Sequence, residues 1–226
     1  MPKDFQKNNQ FTVENRDFSK IHGKPDFFLK NALQNCADDS QIARLMQYAN
    51  GILKWNKVYQ LTAAKNLNDI LLHIVDCAAI VPFLANCNAP KILDVGSGAG
   101  LPGIVLAILK PQACIFLIDS IQKKTAFLNE AKRFLQLKNV EVLNNRVEKI
   151  SGDFDIILCR AFSNLADFVL KTEHLLKTDG AWWAMKGANF KDEIALLPHN
   201  IHTEIVALAA PKIIGARHLC ILKRSL

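Results

Sequence analysis

The chain has 226 residues, half of them apolar and 22% charged, with 28 Lys and Arg against 21 Asp and Glu for a formal net charge of +7. Such a composition suits a globular chain with its own hydrophobic core and excludes a fibrous or disordered one, and no apolar run approaches the ~20 residues that span a bilayer. The positive balance favours a polyanionic partner and is concentrated late: residues 1–90 carry ten basic and eight acidic residues, residues 91–226 eighteen and thirteen.

The leader Met1–Lys24 is polar, with Asp4, Glu14 and Asp17 where a transit peptide avoids acids and no apolar core for export, which predicts a cytoplasmic protein. Pro25 opens a short apolar helix. A longer helix follows Asp39 and Ser40 as caps, with Ile42, Leu45, Met46, Ala49 and Leu53 at helical spacing. A third runs from Asn66 to Val81, with Pro82 in its last turn. Residues 25–90 therefore read as a helical extension, and residues 91–226 as a second unit.

The pattern changes at Lys91. Ile92–Val95 is a short apolar strand, followed by a glycine-rich turn and a helix that starts at Pro102. Cys114–Ile118 is the next strand, and Ser120 is placed to cap a helix to Leu135. Strands over Val140–Leu143 and Phe154–Leu158 follow, then a helix capped by Ser163, a strand over Gly180–Met185 and a short helix over Asp192–Leu197. Ile201–Ala209 and Arg217–Leu222 close the chain as two strands joined by a loop with Pro211 and Gly215. This alternation predicts an α/β fold, a doubly wound and mostly parallel sheet with an antiparallel hairpin at one edge. The ligand crevice of such a sheet lies at the carboxyl ends of the strands, where the strand order reverses.

The six cysteines contain no C-x-x-C pair, so no metal site is expected. Cys159 is a conceivable nucleophile, but it ends a buried-type strand and reads as core.

The turn Asp94-Val95-Gly96-Ser97-Gly98-Ala99-Gly100-Leu101-Pro102-Gly103 lets backbone approach a ligand without an intervening side chain. Gly98, Gly100 and Gly103 also satisfy the nicotinamide pattern G-x-G-x-x-G, so the glycines alone leave that cofactor open. Asp94 ahead of the first glycine gives D-x-G-x-G-x-G, as in S-adenosylmethionine methyltransferases. Asp119 ends the second strand, where a carboxylate accepts hydrogen bonds from a ribose diol. Val147 and Glu148 border the place of an adenine, and Arg160, at the end of the fourth strand, carries a planar fork suited to a carboxylate or phosphate.

These residues belong to a wider likeness. The sequence resembles the bacterial RsmG family, also called glucose-inhibited division protein B, in Trp55-Asn56-Lys57-Val58-Tyr59-Gln60-Leu61-Thr62, the His73–Asp76 stretch, Asp94–Gly103, Asp119-Ser120 with Lys123-Lys124, Arg146-Val147-Glu148, Arg160-Ala161-Phe162, Lys186-Gly187 and Arg217-His218-Leu219. Gln60 stands where the family usually has asparagine, and Cys77 where it usually has serine. The resemblance implies a class I methyltransferase fold with an N-terminal helical extension, S-adenosylmethionine as methyl donor, and methylation of N7 of a guanine in the 530 loop of 16S ribosomal RNA, guanine 527 in the standard rRNA numbering. It places Gly96, Leu101, Val147, Glu148 and Arg160 at donor-binding positions. Ser97, Gly98, Gly100, Asp119 and Ser120 complete that expected set.

Lys123, Lys124, Arg146, Lys186, Arg217 and His218 are expected to hold RNA, with Arg160 and Lys186 positioning the purine and no general base required. The partner expected is 16S rRNA or the small ribosomal subunit, the protein acting as a monomer without metal or membrane. A nicotinamide oxidoreductase and a non-catalytic RNA-binding protein with a nucleotide pocket remain the alternatives at this point.

Overall fold

Three helices precede the first strand in the computed structural model, which describes residues 24–209 and 215–225. The expected leader, apart from Lys24, and Pro211 of the closing loop lie outside the described residues. Helix α1 (Pro25–Ala32) has proline in its first turn, where the missing N–H costs no hydrogen bond. Helix α2 (Asp39–Tyr59) starts under a reciprocal cap: Gln41 N donates to Asp38 Oδ1 (2.8 Å) and Asp38 N to Gln41 Oε1 (3.0 Å). The cap is thus Asp38 rather than the expected Asp39 or Ser40, because only Asp38 has a glutamine three residues on to close the box.

Helix α3 (Leu67–Ala78) is capped by Asn66, whose side chain accepts from Asp69 N. It stops before the expected Val81, and Pro82 falls instead in a separate 3-10 turn, Val81–Leu84. The stretch Leu67–Leu84 has a mean hydropathy of 1.7. Its apolarity is explained by burial, since α3 alone, at 12 residues, is only about 18 Å long and packs on α1, α2 and the helix after the first strand.

Seven strands form one sheet: β1 (Lys91–Val95), β2 (Cys114–Asp119), β3 (Val140–Asn144), β4 (Phe154–Arg160), β5 (Leu176–Lys186), β6 (Ile201–Leu208) and β7 (Arg217–Arg224), in the order β3-β2-β1-β4-β5-β7-β6. Strands β1 to β5 are parallel, and β7 pairs antiparallel with both β5 and β6. The expected edge hairpin is therefore present, with β7 inserted inside β6. Strand β5 begins at Leu176, ahead of the expected Gly180, because Leu176 already pairs with Phe154 before the register shifts.

Helices α4 (Gly103–Leu109) and α5 (Gln122–Phe134) join the extension on one face of the sheet, while α6 (Leu165–Thr172) and α7 (Lys191–Ile194) lie on the other. Two apolar clusters result, and the alternation of a strand sends Trp183 into the first and Trp182 into the second. Both indoles are core, and Trp182 Nε1 donates to Thr172 Oγ1 (2.9 Å). Two expected caps are corrected. Ser120 makes no cap for α5, where Ile121 holds the cap position and donates its N–H to Asp119 Oδ1 (2.9 Å). Asn164, not Ser163, caps α6 by accepting from Asp167 N (2.8 Å), since an amide oxygen reaches the first-turn N–H while Ser163 Oγ turns to Asn164 O.

Candidate active site

Strand order reverses between β1 and β4, and the turn after β1 lies beside that switch point. Gly96 and Gly98 adopt left-handed backbone, φ +68° and +57°. Gly96 N and Ser97 N both donate to Ile118 O (2.9 and 3.1 Å), tying the turn to the end of β2. Ser97 Oγ donates back to Asp94 O (2.7 Å), so this buried hydroxyl is spent on the turn itself rather than on a ligand.

Asp119 organises the opposite wall. Its Oδ2 accepts from Gly98 N (3.0 Å) and Lys124 Nζ (3.4 Å), and its Oδ1 accepts from Ile121 N. Three of a carboxylate's roughly four acceptor sites are therefore in use, and the long Lys124 contact is the one that yields most easily to a second hydroxyl of a vicinal diol. Between the turn and this carboxylate opens a cavity of about 360 Å³, lined by Gly96, Asp119, Ser120, Val147, Glu148 and Phe162 among others. That volume is in the range of small-ligand clefts. A Cβ on Gly96 would stand 2.8 Å from the Phe162 ring, so glycine here permits the ring to close one wall.

The turn is also held from behind. Asp94 is buried and its Oδ2 accepts from Gly103 N (2.9 Å), whereas Oδ1 has no hydrogen-bond partner. Burial pushes its carboxyl up to about 7. Tyr48 of α2, fully buried, donates its hydroxyl to Ala99 O at 2.6 Å. Sequence reasoning missed Tyr48; its only signal was a polar-tipped aromatic within an amphipathic helix. Leu101, expected at the donor site, is 8% exposed and packs in the larger apolar cluster, away from the cavity lining.

The β4 side differs more from expectation. Arg160 does not line the cavity. Its Nη2 lies 2.9 Å from His73 Nδ1 and its Nε 3.1 Å from Asp76 Oδ2, and the other Asp76 oxygen accepts from Arg217 Nε (3.2 Å). Lys186 Nζ donates to Glu193 Oε2 (2.7 Å) and Ser163 O (3.0 Å), so its charge is neutralised inside the fold. The His218 ring lies 4.8 Å from that of Phe190 at a tilt of 52°, with Nδ1 3.2 Å from Gly187 O. Of the expected RNA-holding residues, the structure brings Lys124 and Arg146 to the cavity and leaves Lys123 exposed on the first turn of α5, while Lys186, Arg217 and His218 are engaged beside β5 and β7. The signal missed was the partner set: His73 and Asp76 are far in sequence from Arg160 and Arg217, and Glu193, although only seven residues beyond Lys186, reaches it across the turn after β5. Cys159 is 2% exposed, and burial raises its thiol well above the ordinary range, which makes it core rather than nucleophile. Among the described residues no group of three or more His, Cys, Asp or Glu is placed to hold a metal.

Residues 41–220 match the family model described as rRNA small subunit methyltransferase G. The chain belongs to that family. It is 42% identical over 196 residues to the ribosomal RNA small subunit methyltransferase G of Burkholderia cenocepacia, covering 83% of this chain and 86% of that protein. It is 44% identical over 197 residues to the protein of the same name from Burkholderia thailandensis, covering 83% and 85%. Among solved structures, a SAM-dependent methyltransferase from Aquifex aeolicus superposes with TM-score 0.52 at 19% identity over 65% of this chain and 89% of that one. TrmN from Thermus thermophilus gives 0.53 at 16% identity over 67% and 48%. The fold is that of class I methyltransferases, as expected.

Proposed function

We propose that this member of the methyltransferase G family transfers a methyl group from S-adenosylmethionine to N7 of a guanine in the 530 loop of 16S rRNA, in the cytoplasm, on the small subunit or its precursor. The single observation that carries the reading is the cavity in which a glycine turn after β1 faces a carboxylate at the end of β2. The residues fit the donor: Asp119 offers acceptors for a ribose diol, Gly96 keeps the turn free of a side chain, and Val147 and Glu148 border the space for the adenine. Family membership supports this donor against the nicotinamide reading of the same glycine spacing.

Bound there, S-adenosylmethionine supplies an electrophilic methyl group on a sulfonium. N7 of guanine has an in-plane lone pair and no hydrogen, so the chain needs no general base. The titratable lining of the cavity is Asp119, Lys124, Arg146, Glu148 and Lys171, and the transfer calls on none of them to take a proton. What the residues do is orient and dehydrate. Phe162 closes the wall beside Gly96, and the unpaired N–H groups of Arg160 are available to an anionic group beyond it. Lys124 and Arg146 set a positive rim for phosphates, with exposed Lys123 next to them. The test is to incubate small-subunit particles lacking the modification with labelled S-adenosylmethionine and map the product. Label as 7-methylguanine in the 530 loop is the expected result, and label on an adenine amine or a pyrimidine carbon contradicts it.

A further inference from the structure

Helix α3 carries His73 and Asp76 one turn apart, and both reach across to the last residue of β4. Arginine has donors only, so at 2.9 Å His73 Nδ1 must be the acceptor for Arg160 Nη2, which fixes a neutral ring with its hydrogen on Nε2. Burial and the Arg160 charge both act to lower the basicity of His73, consistent with that state. Asp76 is 1% exposed and is shared by Arg160 and Arg217. A buried carboxylate between two guanidiniums is a poor source of stability compared with apolar packing, but it sets direction well.

Nη2 is thereby hydrogen-bonded to His73 and Nε ion-paired with Asp76 Oδ2, an oxygen that has no hydrogen-bond partner of its own, and the side chain remains 18% exposed. The next two residues, Ala161 and Phe162, line the cavity. Arg160 itself stands outside the cavity lining, two residues before Phe162, whose ring closes the wall beside Gly96.

We propose that His73 and Asp76 are positioning residues: they aim the free N–H groups of Arg160 at the carboxylate of the donor's amino-acid portion. The inference rests on the proposed function and adds to it that the helical extension, through α3, sets donor affinity. Tyr48, which reaches the glycine turn from α2, is an independent contact of the same extension.

Calorimetric titration with two probes tests it: S-adenosylhomocysteine, which has the amino-acid carboxylate, and 5′-methylthioadenosine, which lacks it. His73→Leu and Asp76→Asn are each expected to weaken S-adenosylhomocysteine binding about tenfold or more, the size of a lost hydrogen bond to a charged group, while leaving methylthioadenosine within about twofold. His73→Gln restores an acceptor and is expected to recover most of the loss. Where the leucine variant does not fold, Asp76→Asn, which conserves volume, makes the same comparison. Equal weakening of both probes would mean a collapsed cleft, and no weakening of either would mean an idle contact; each overturns the proposal. Failure of the unaltered protein to bind either probe would instead overturn the proposed donor site.

Discussion

Replacing Gly96 with alanine separates two costs that the glycine turn hides, and Gly98→Ala is its control. Both glycines have left-handed backbone, at φ +68° and +57°, so each substitution costs about 1 kcal/mol in conformation. Their surroundings differ. A Cβ on Gly98 would meet nothing nearer than Gly96 O at 3.8 Å, an ordinary contact, whereas one on Gly96 would stand 2.8 Å from Phe162 Cδ2. The ring must then shift, and overpacking of this kind adds ~1–3 kcal/mol. Thermal unfolding should therefore fall by about 2–4 °C for Gly98→Ala and by roughly 4–16 °C for Gly96→Ala. Because Phe162 lines the cavity, S-adenosylhomocysteine affinity should drop for Gly96→Ala more than for Gly98→Ala. In a Phe162→Leu background the extra loss at Gly96 should shrink. Equal melting shifts for the two alanine variants would refute the argument that the ring, and not the backbone alone, demands glycine.

Other outcomes follow from single contacts. Tyr48→Phe removes a buried 2.6 Å hydrogen bond and strands the Ala99 carbonyl, at a cost of ~1–3 kcal/mol that differential scanning calorimetry will register as a lowered Tm. Asp94 has its carboxyl raised from 3.8 to about 7, so the stability it contributes is present below pH ~4 and is lost as pH rises through 7, a change on the order of 4 kcal/mol at most. Unliganded Asp94→Asn should accordingly gain on the unaltered protein in Tm between pH 5 and 8, and parallel curves would contradict this. Lys123→Ala should lower the salt slope of RNA binding by about 0.7 without changing donor affinity. Lys124→Ala should change both, because its ammonium pairs with Asp119.

Local pattern carried most of the fold. The switch from helical spacing to alternating strands and helices at Lys91 placed the sheet, and the absence of a helix between the last two strands placed the antiparallel edge. Caps were legible only to within a residue, as at Asp38 and Asn164, because neighbouring Asp, Ser and Asn side chains compete for the same first-turn N–H and three-dimensional reach decides among them. The glycine turn and Asp119 were readable since they lie within one β-α-β unit and answer each other at close range. Arg160 and Arg217 were legible as cations on strands beside the crevice but not in their pairing. Asp76 lies 141 positions from Arg217, and His73 87 from Arg160, so only the folded extension brings these groups together. Tyr48 was hidden for the same reason: its hydroxyl meets a backbone carbonyl, which leaves no complementary side chain to find in the sequence.

A crystal structure with S-adenosylhomocysteine tests the central claim most directly. The account predicts the ribose hydroxyls on the Asp119 carboxylate, the adenine between Ser120 and Val147, and the amino-acid carboxylate toward Arg160. Density for the ligand elsewhere, with Asp119 still bonded only to Gly98, Ile121 and Lys124, would contradict it.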